Sequence, residues 1–390
     1  MLPITEKVYK LGIVDWDRTL FDAFVPTPQG TSYNSYLVKG KDKTVLIDTS
    51  EPKFKKEYLA QLKDVKTIDY IITNHAEQDH SGCLPFVLDK YPKAKIITNA
   101  KAKTFLLDLL HLDDDQFIVI QDGETFSIGD KTFEFIFAPW VHWPETMFTY
   151  LQEDKILFTC DLFGAHLATS SLFSDDKHST YLAAKRYYSE IMMPFRKNIQ
   201  KYIKKIDSMA VDYIAPSHGP VHNDPQFILN AYKKWTSDSP KNLVILPYIS
   251  MHGSVRGMVN FLADELIKRK INIEIFNLEI KEIGDVATAL VDAATIVVGS
   301  PTVYTNAHPV VVYYTYFFNM QRLKTKFFTS IGSYNWATQT PKTLNEIVQN
   351  SRFEILPDVH IKGILKKEDF DKLINLANII EEKHKSLGLL

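Results

Sequence analysis

The sequence predicts an α/β protein in two parts, a layered sandwich over residues 1–240 and a doubly wound parallel sheet over residues 241–390. Three observations carry this reading. From about Val8 to Ala215, short β-rich runs alternate with turns and helical stretches, and the strand-to-loop corners keep ending in polar residues. A polar stretch with a proline, Trp235 to Asn242, then breaks the composition just before a fresh apolar run. Beyond it, strands alternate regularly with helical segments, the pattern of right-handed βαβ crossovers.

In the first part the expected strands are Ser35 to Val38, Thr44 to Asp48, Tyr70 to Thr73, Lys95 to Thr98, Phe117 to Ile120, Thr132 to Ala138, Thr146 to Leu151, Lys155 to Thr159 and Tyr213 to Ala215. They are β-rich runs set between turns, and a sandwich built from them gathers its loops at one sheet edge. In the second part the strands are Leu243 to Ile249, Ile271 to Phe276, Thr295 to Gly299, Lys326 to Gly332 and Arg352 to Leu356. The helices between them run from Arg256 to Arg269, near Asp285 to Asp292, from Pro309 to Leu323 and from Pro341 to Gln349, and a last one from Lys367 to about Lys385.

Composition excludes several classes. With 390 residues and 45% hydrophobic side chains the chain can bury the cores of two domains. The 45 basic and 47 acidic residues nearly cancel, so no broad field attracts a phosphate backbone and nucleic acid is not an expected partner. Two cysteines in separate segments, Cys83 and Cys160, with no C-x-x-C, encode neither a disulfide framework nor a rubredoxin-type iron site. A reducing cytoplasm is the expected location. The start lacks a signal pattern, and the longest apolar run, Val310 to Phe318, is too short for a bilayer, so no membrane association is expected.

The densest chemistry is Asn74-His75-Ala76-Glu77-Gln78-Asp79-His80-Ser81-Gly82, four metal-capable side chains within six residues after the apolar run Ile68 to Ile72. Buried carboxylates and imidazoles need partners, and metal ions supply them. Further single candidates follow strands: His142 between Val141 and Trp143, Asp161 after Cys160, and His218 before Gly219-Pro220. Taken together they suit a two-metal site, with Asp161 as the carboxylate that bridges the ions.

The order H-x-E-x-D-H, His, Asp, His resembles the metallo-β-lactamase superfamily, whose hydrolases carry His where this chain has Glu77. A hard carboxylate in place of an imidazole favours oxidised iron over zinc. With the second part attached, the whole chain resembles the flavodiiron proteins, through the ligand string, Gly30-Thr31-Ser32-Tyr33-Asn34-Ser35-Tyr36-Leu37 and Arg186-Tyr187-Tyr188. That resemblance implies a metallo-β-lactamase-like αββα sandwich joined to a flavodoxin-like domain. It implies one iron held by His75, Glu77 and His142, a second held by Asp79, His80 and His218, and Asp161 bridging both. Asp161 and Tyr188 are the residues expected at the catalytic centre. In some relatives a His near the irons stands where this chain has Asp22.

Ser250-Met251-His252-Gly253-Ser254-Val255-Arg256, between a strand and a helix, resembles a flavodoxin phosphate loop whose last hydroxyl is replaced by Val255. Ser300-Pro301-Thr302-Val303-Tyr304-Thr305-Asn306 and Gly332-Ser333-Tyr334-Asn335-Trp336-Ala337 resemble flavodoxin ring-binding loops. Tyr304 and Trp336 offer flat faces to an isoalloxazine. FMN is expected over FAD because no G-x-G-x-x-G is present.

The implied function is reduction of dioxygen to water, or of nitric oxide to nitrous oxide, at a di-iron site fed by FMN. A head-to-tail homodimer, or a dimer of such dimers, and an external donor (rubredoxin, a flavin reductase or reduced coenzyme F420) are the expected partners. The alternative is a binuclear zinc hydrolase of thioesterase or lactonase type with an accessory flavodoxin-like module. His111, His166, His178, His222, His252, His308, His360 and His384 lie outside the ligand frame and read mostly as surface or loop residues. Tyr33, Tyr187, Tyr188, Trp140 and Trp143 read either as lining the metal site or as core aromatics, and Cys83 as a small packing residue.

Overall fold

A computed structural model describes residues 1–390, and the chain divides into two compact units, Met1–Thr236 and Ser237–Leu390. In the first, a seven-stranded sheet runs in the order Leu2–Pro3, Val8–Asp15, Thr31–Lys39, Thr44–Ile47, Tyr70–Ile72, Lys95–Asn99, Phe117–Ile120. Its pairings are antiparallel as far as Thr44–Ile47 and parallel beyond. A five-stranded sheet follows, Thr125–Ser127, Thr132–Phe137, Met147–Leu151, Ile156–Cys160 and Tyr213–Pro216, with only the last pairing parallel.

Alternation along the strands sorts side chains to two faces. Tyr36, Val38, Val45 and Ile47 meet Phe133, Phe135, Ile156 and Phe158 between the sheets. Tyr33, Leu37, Leu46, Ile71 and Ile96 point the other way, against Tyr58, Leu84, Val87 and Leu106 of the helices Lys55–Gln61, Leu84–Lys90 and Ala100–Leu110. Each such side chain contributes about 1.5–3 kcal/mol on burial, so the strand ends are rigidly held. Helices Arg196–Asp207 and Pro225–Thr236 close the outer face of the second sheet, where Phe148 meets Tyr202 edge to face.

The second unit is a parallel sheet in the order Asn272–Asn277, Lys241–Tyr248, Ala293–Val303, Phe327–Tyr334, Glu354–Ile355. In chain order this is 2-1-3-4-5, which places a crevice where the first and third strands diverge. The expected fifth strand is split: Glu354–Ile355 pairs with Phe327–Phe328, and Val359–Lys362 then pairs with Ile331–Tyr334. Pro357, which has no N–H to give a ladder, sits in the gap. The final helix, Lys367–Ser386, is pinned by His384, whose ring bonds Thr295 Oγ1 and Asn242 Oδ1 at 2.8 Å each. No helix is long and apolar enough to cross a membrane.

Candidate metal centre and flavin crevice

Every residue of the candidate metal set sits just beyond a strand of the first unit. His75 to His80 follow Tyr70–Ile72, His142 lies in the loop before Met147–Leu151, Asp161 follows Ile156–Cys160 and His218 follows Tyr213–Pro216. Their tips converge in two groups. His75 Nε2 lies 3.1 Å from Glu77 Oε2 and 3.5 Å from Asp161 Oδ2, and His142 Nε2 lies 3.2 Å and 3.5 Å from the same two oxygens. On the other side, His80 Nε2 is 3.2 Å from Asp79 Oδ1 and 3.1 Å from Asp161 Oδ1, while His218 Nε2 is 3.3 Å from both Asp79 Oδ2 and Asp161 Oδ1. Asp161 thus gives one oxygen to each group.

The donor set fits two ions. Bonds of about 2.0–2.2 Å to one centre place neighbouring donors about 3.0–3.5 Å apart, the spacing found here. Neither Asp79 oxygen has a hydrogen-bonding partner although both are buried and close to imidazole nitrogens. A bound cation would supply the partner that those buried oxygens lack.

Electrostatics agree. Burial opposes the charged form of His142, but Asp161 and Glu77 outweigh it and lift the ring to about 9. For His218, burial is likewise overcome, by Asp161 and Asp79, and the ring reaches about 10. His75 is held well above the usual imidazole range, against burial, by Glu145 and Glu77. Burial pushes the Asp161 carboxyl up, yet His80, His142 and His218 together hold it well below the usual range. Protons and cations compete for one cluster, and a metal would displace the protons.

The loops are locked from behind. Asp48, just past Thr44–Ile47, accepts from Asn74 N at 2.8 Å and Asn74 Nδ2 at 3.1 Å, and Asn74 Oδ1 accepts from Thr149 Oγ1 at 2.7 Å. Glu145, which sequence reasoning missed, is buried with Oε1 2.6 Å from His75 Nδ1 and 3.1 Å from Ala76 N, fixing that ring with Nε2 toward the cluster. Its signal was a carboxylate three residues past His142. The Gly30 to Leu37 segment anchors His218: Ser32 O lies 2.7 Å from His218 Nδ1, Ser32 Oγ accepts from Gly219 N, and Asn34 Nδ2 donates to Pro216 O and Gly219 O.

Two expectations change. Tyr188, expected at the catalytic centre, is fully buried between Tyr232 and Trp235, with its hydroxyl 3.4 Å from Trp235 O. The two neighbours point about a quarter-turn or more apart around the helix, and it is Tyr187 whose hydroxyl donates to Asp161 Oδ1 at 3.0 Å. Burial and the Asp161 charge keep that phenol protonated. Three histidines read as surface or loop residues, His166, His222 and His384, are buried. His166 meets His218 and Tyr187 edge to face and Phe21 at a tilt, and burial first and then the neighbouring His218 hold it neutral. Trp143 meets the His75 ring edge to face, Tyr33 meets His218, and Trp140 is exposed. Asp22 is exposed at its outer side but faces Glu77 and Asp79 closely enough that partial desolvation and those charges push its carboxyl up to about 6.

In the second unit a cavity of about 310 Å³ opens at the strand ends, lined by Ser250, His252, Ser254, Val255, Pro301, Thr302, Ser333, Tyr334, Asn335 and Trp336, all expected there. Gly253, Val303, Tyr304 and Asn306 are outside its lining. Gly253 makes the turn instead, with φ 88 at the start of the helix Ser254–Lys268. Val303 pairs with Asn306 across a hairpin whose tip residues Tyr304 and Thr305 have φ of 49 and 64, which throws Tyr304 into solvent. Asn306 Oδ1 accepts from Thr343 Oγ1 and from Ala307 N. Val255 is buried in the core, and Ser250 Oγ accepts from Arg256 N at 3.1 Å.

An αββα unit with two adjoining carboxylate-and-imidazole donor groups, followed by a 2-1-3-4-5 sheet with a crevice, defines a metallo-β-lactamase-like and flavodoxin-like two-domain protein. Comparisons agree. A family model described as ODP family beta lactamase matches residues 31–219. A nitric oxide reductase of Moorella thermoacetica is 33% identical over 97% of each chain, and a coenzyme F420H2 oxidase of Methanothermobacter marburgensis 30% identical over 94% of this chain and 95% of its own. The rubredoxin oxygen:oxidoreductase of Desulfovibrio gigas superposes over 100% of both chains with TM-score 0.95 at 27% identity. The flavodiiron protein of Giardia intestinalis gives 0.92 at 25%, covering 99% of this chain and 97% of its own. The chain belongs to the flavodiiron protein family.

Proposed function

We propose that this chain reduces dioxygen to water or nitric oxide to nitrous oxide at a di-iron site held by His75, Glu77, Asp79, His80, His142, Asp161 and His218, with FMN in the crevice of the second unit. The observation that supports it best is the sharing of the two Asp161 oxygens between two groups of nitrogen and carboxylate donors. Relatives named for nitric oxide, oxygen and coenzyme F420H2 chemistry support the reaction class. Glu77, in the position an imidazole takes in hydrolases, adds a hard anionic donor that suits iron over zinc.

When bound, reduced iron and FMN supply the electrons that the gas takes up. The chain's own groups supply the rest. Glu145 and Ser32 O fix the orientation of the His75 and His218 rings with Nε2 toward the cluster, and the Asn74 network holds the loop that carries His75, so little reorganisation is required when ions arrive. Tyr187 keeps its proton on a hydroxyl directed at Asp161, a hydrogen bond that weakens that oxygen as a donor toward the second group. Ser254, at the N-terminus of a fifteen-residue helix, and Ser250 would hold the phosphate of FMN, with the first amides of that helix as donors. Trp336, largely exposed at the rim of the crevice, is placed to cover an aromatic ring.

Metal analysis and the visible spectrum of the purified chain test this directly. Iron near two per chain with a flavin spectrum, and consumption of either gas by the reduced protein, is the expected result. Zinc with thioester or lactone hydrolysis would return the alternative. Rubredoxin and reduced coenzyme F420 are compared as donors in the same assay. A head-to-tail homodimer is the expected assembly, checked by loss of activity on dilution.

A further inference from the structure

Lys10 is a buried cation without a counter-ion. It lies on the strand Val8–Asp15 with 8% of its surface exposed. Its amine makes one hydrogen bond, to Gly219 O at 3.2 Å, which leaves two of its three donor protons unused. No carboxylate lies within 4.0 Å, and burial alone shifts the amine, down to about 8, so it stays protonated at neutral pH. Burying a charge in this way is costly unless something pairs with it.

Lys10 also lines a separate cavity of about 200 Å³, together with Asn34, Gln61, Thr169, Ser170 and Ser171. Hydroxyls and amides offer further donors there. Inside the cleft the outward-facing backbone of Gly12 is already taken, which leaves little edge there for a further strand. The Gln61 amide accepts from Gly12 N at 3.2 Å and donates to Gly12 O at 2.8 Å, doing what a neighbouring strand would do. What the cleft still offers is positive charge and donors in a small space.

We propose that this cleft is a binding site for a small oxyanion, a phosphate or a carboxylate, paired with the Lys10 ammonium and bonded by the Thr169 to Ser171 segment. The site is separate from the metal cluster and does not depend on the reading of that cluster. It touches it at one point: Lys10 and Asn34 both donate to Gly219 O, the carbonyl next to His218. An anion that draws the ammonium toward the cleft loosens one of those two bonds.

The test is thermal unfolding of the full chain, as purified, with sodium phosphate or sodium acetate titrated against chloride at constant ionic strength. Wild type should gain melting temperature along a saturating curve with one of the two anions, the arm that responds identifying the class. Lys10→Met should lose the saturating part while keeping the shallow linear rise that excluded salts give any protein. Equal curves for wild type and Lys10→Met, or a linear curve for wild type, overturn the site. Should Lys10→Met not fold, selenate soaked into wild-type crystals decides: an anomalous peak bonded to Lys10 Nζ supports the site, an adventitious ion only elsewhere overturns it, and so does no peak.

Discussion

Replacing Glu145 by Gln tests whether the donor rings are set from behind. The Glu145 carboxylate is fully buried, 2.6 Å from His75 Nδ1 and 3.1 Å from Ala76 N, and its Oε2 has no partner. In Gln the first oxygen persists as a neutral acceptor, but the charge is gone and an amide N–H₂ replaces the unpartnered oxygen. A hydrogen bond to a charged group contributes about 1.5–3 kcal/mol and a neutral one about 0.5–1.5 kcal/mol. The difference, about 1–1.5 kcal/mol, weakens metal at the His75, Glu77 and His142 group about tenfold, within the roughly 10–100-fold span for groups that orient a ligand. Titrating metal-depleted protein with cobaltous ion, whose bands report each site, should show one affinity weakened by that factor and the other unchanged. Glu145→Ala, which leaves the ring N–H with no acceptor, should lose more and melt lower. Wild-type affinity in Glu145→Gln, or equal weakening of both sites, would refute the orienting role.

Asp161→Asn should drop iron below one per chain while leaving far-ultraviolet dichroism unchanged, because the shared anionic donor is lost from both groups; two retained irons would contradict the bridge. Gly253→Ala has open space for its methyl but φ 88, so it should cost about 1 kcal/mol in stability and lower FMN retention after gel filtration, and full retention would count against the turn's role. His222 and His384 are both held to about 4 by burial. Their depressed folded values mean that the unfolded chain takes up protons first as pH falls below about 6.5, so stability is intact above that pH and declines toward pH 4, by about 3 kcal/mol for His222 and by less for His384, which solvent screens in part. Melting curves across that window should slope downward in acid, and His384→Gln should flatten the slope by one proton; a parallel curve would rule the ring out.

Much of the fold was legible because the determining patterns are local. Strand-and-helix alternation after residue 240 gives the sheet of the second unit, and strand ends in the first unit locate the candidate ligands. The helices Lys177–Tyr187 and Arg196–Asp207 went unread. Ile199, Ile203 and Ile206 carry a helical spacing there, but lysines crowd the other positions and mask it. The choice between Tyr187 and Tyr188 was not legible, since adjacent residues on a helix point about a quarter-turn or more apart and only the packing around Tyr232 and Trp235 decides which faces Asp161. Glu145 and His166 were missed for the same reason: their roles depend on residues 70 and 52 positions away in the chain.

The spread of the donors along the chain sets a timetable for the living cell. His75 to His80 leave the ribosome first, while the Asp161 and His218 that complete both groups are still unmade, and the rear support for His218 comes from Ser32, 186 residues earlier. A nascent chain therefore displays a half-built chelator for as long as synthesis of that interval takes. Were the site loaded with iron as proposed, tighter-binding ions such as copper would compete for such a fragment on better terms than iron, and loading after the sandwich has closed would avoid that competition.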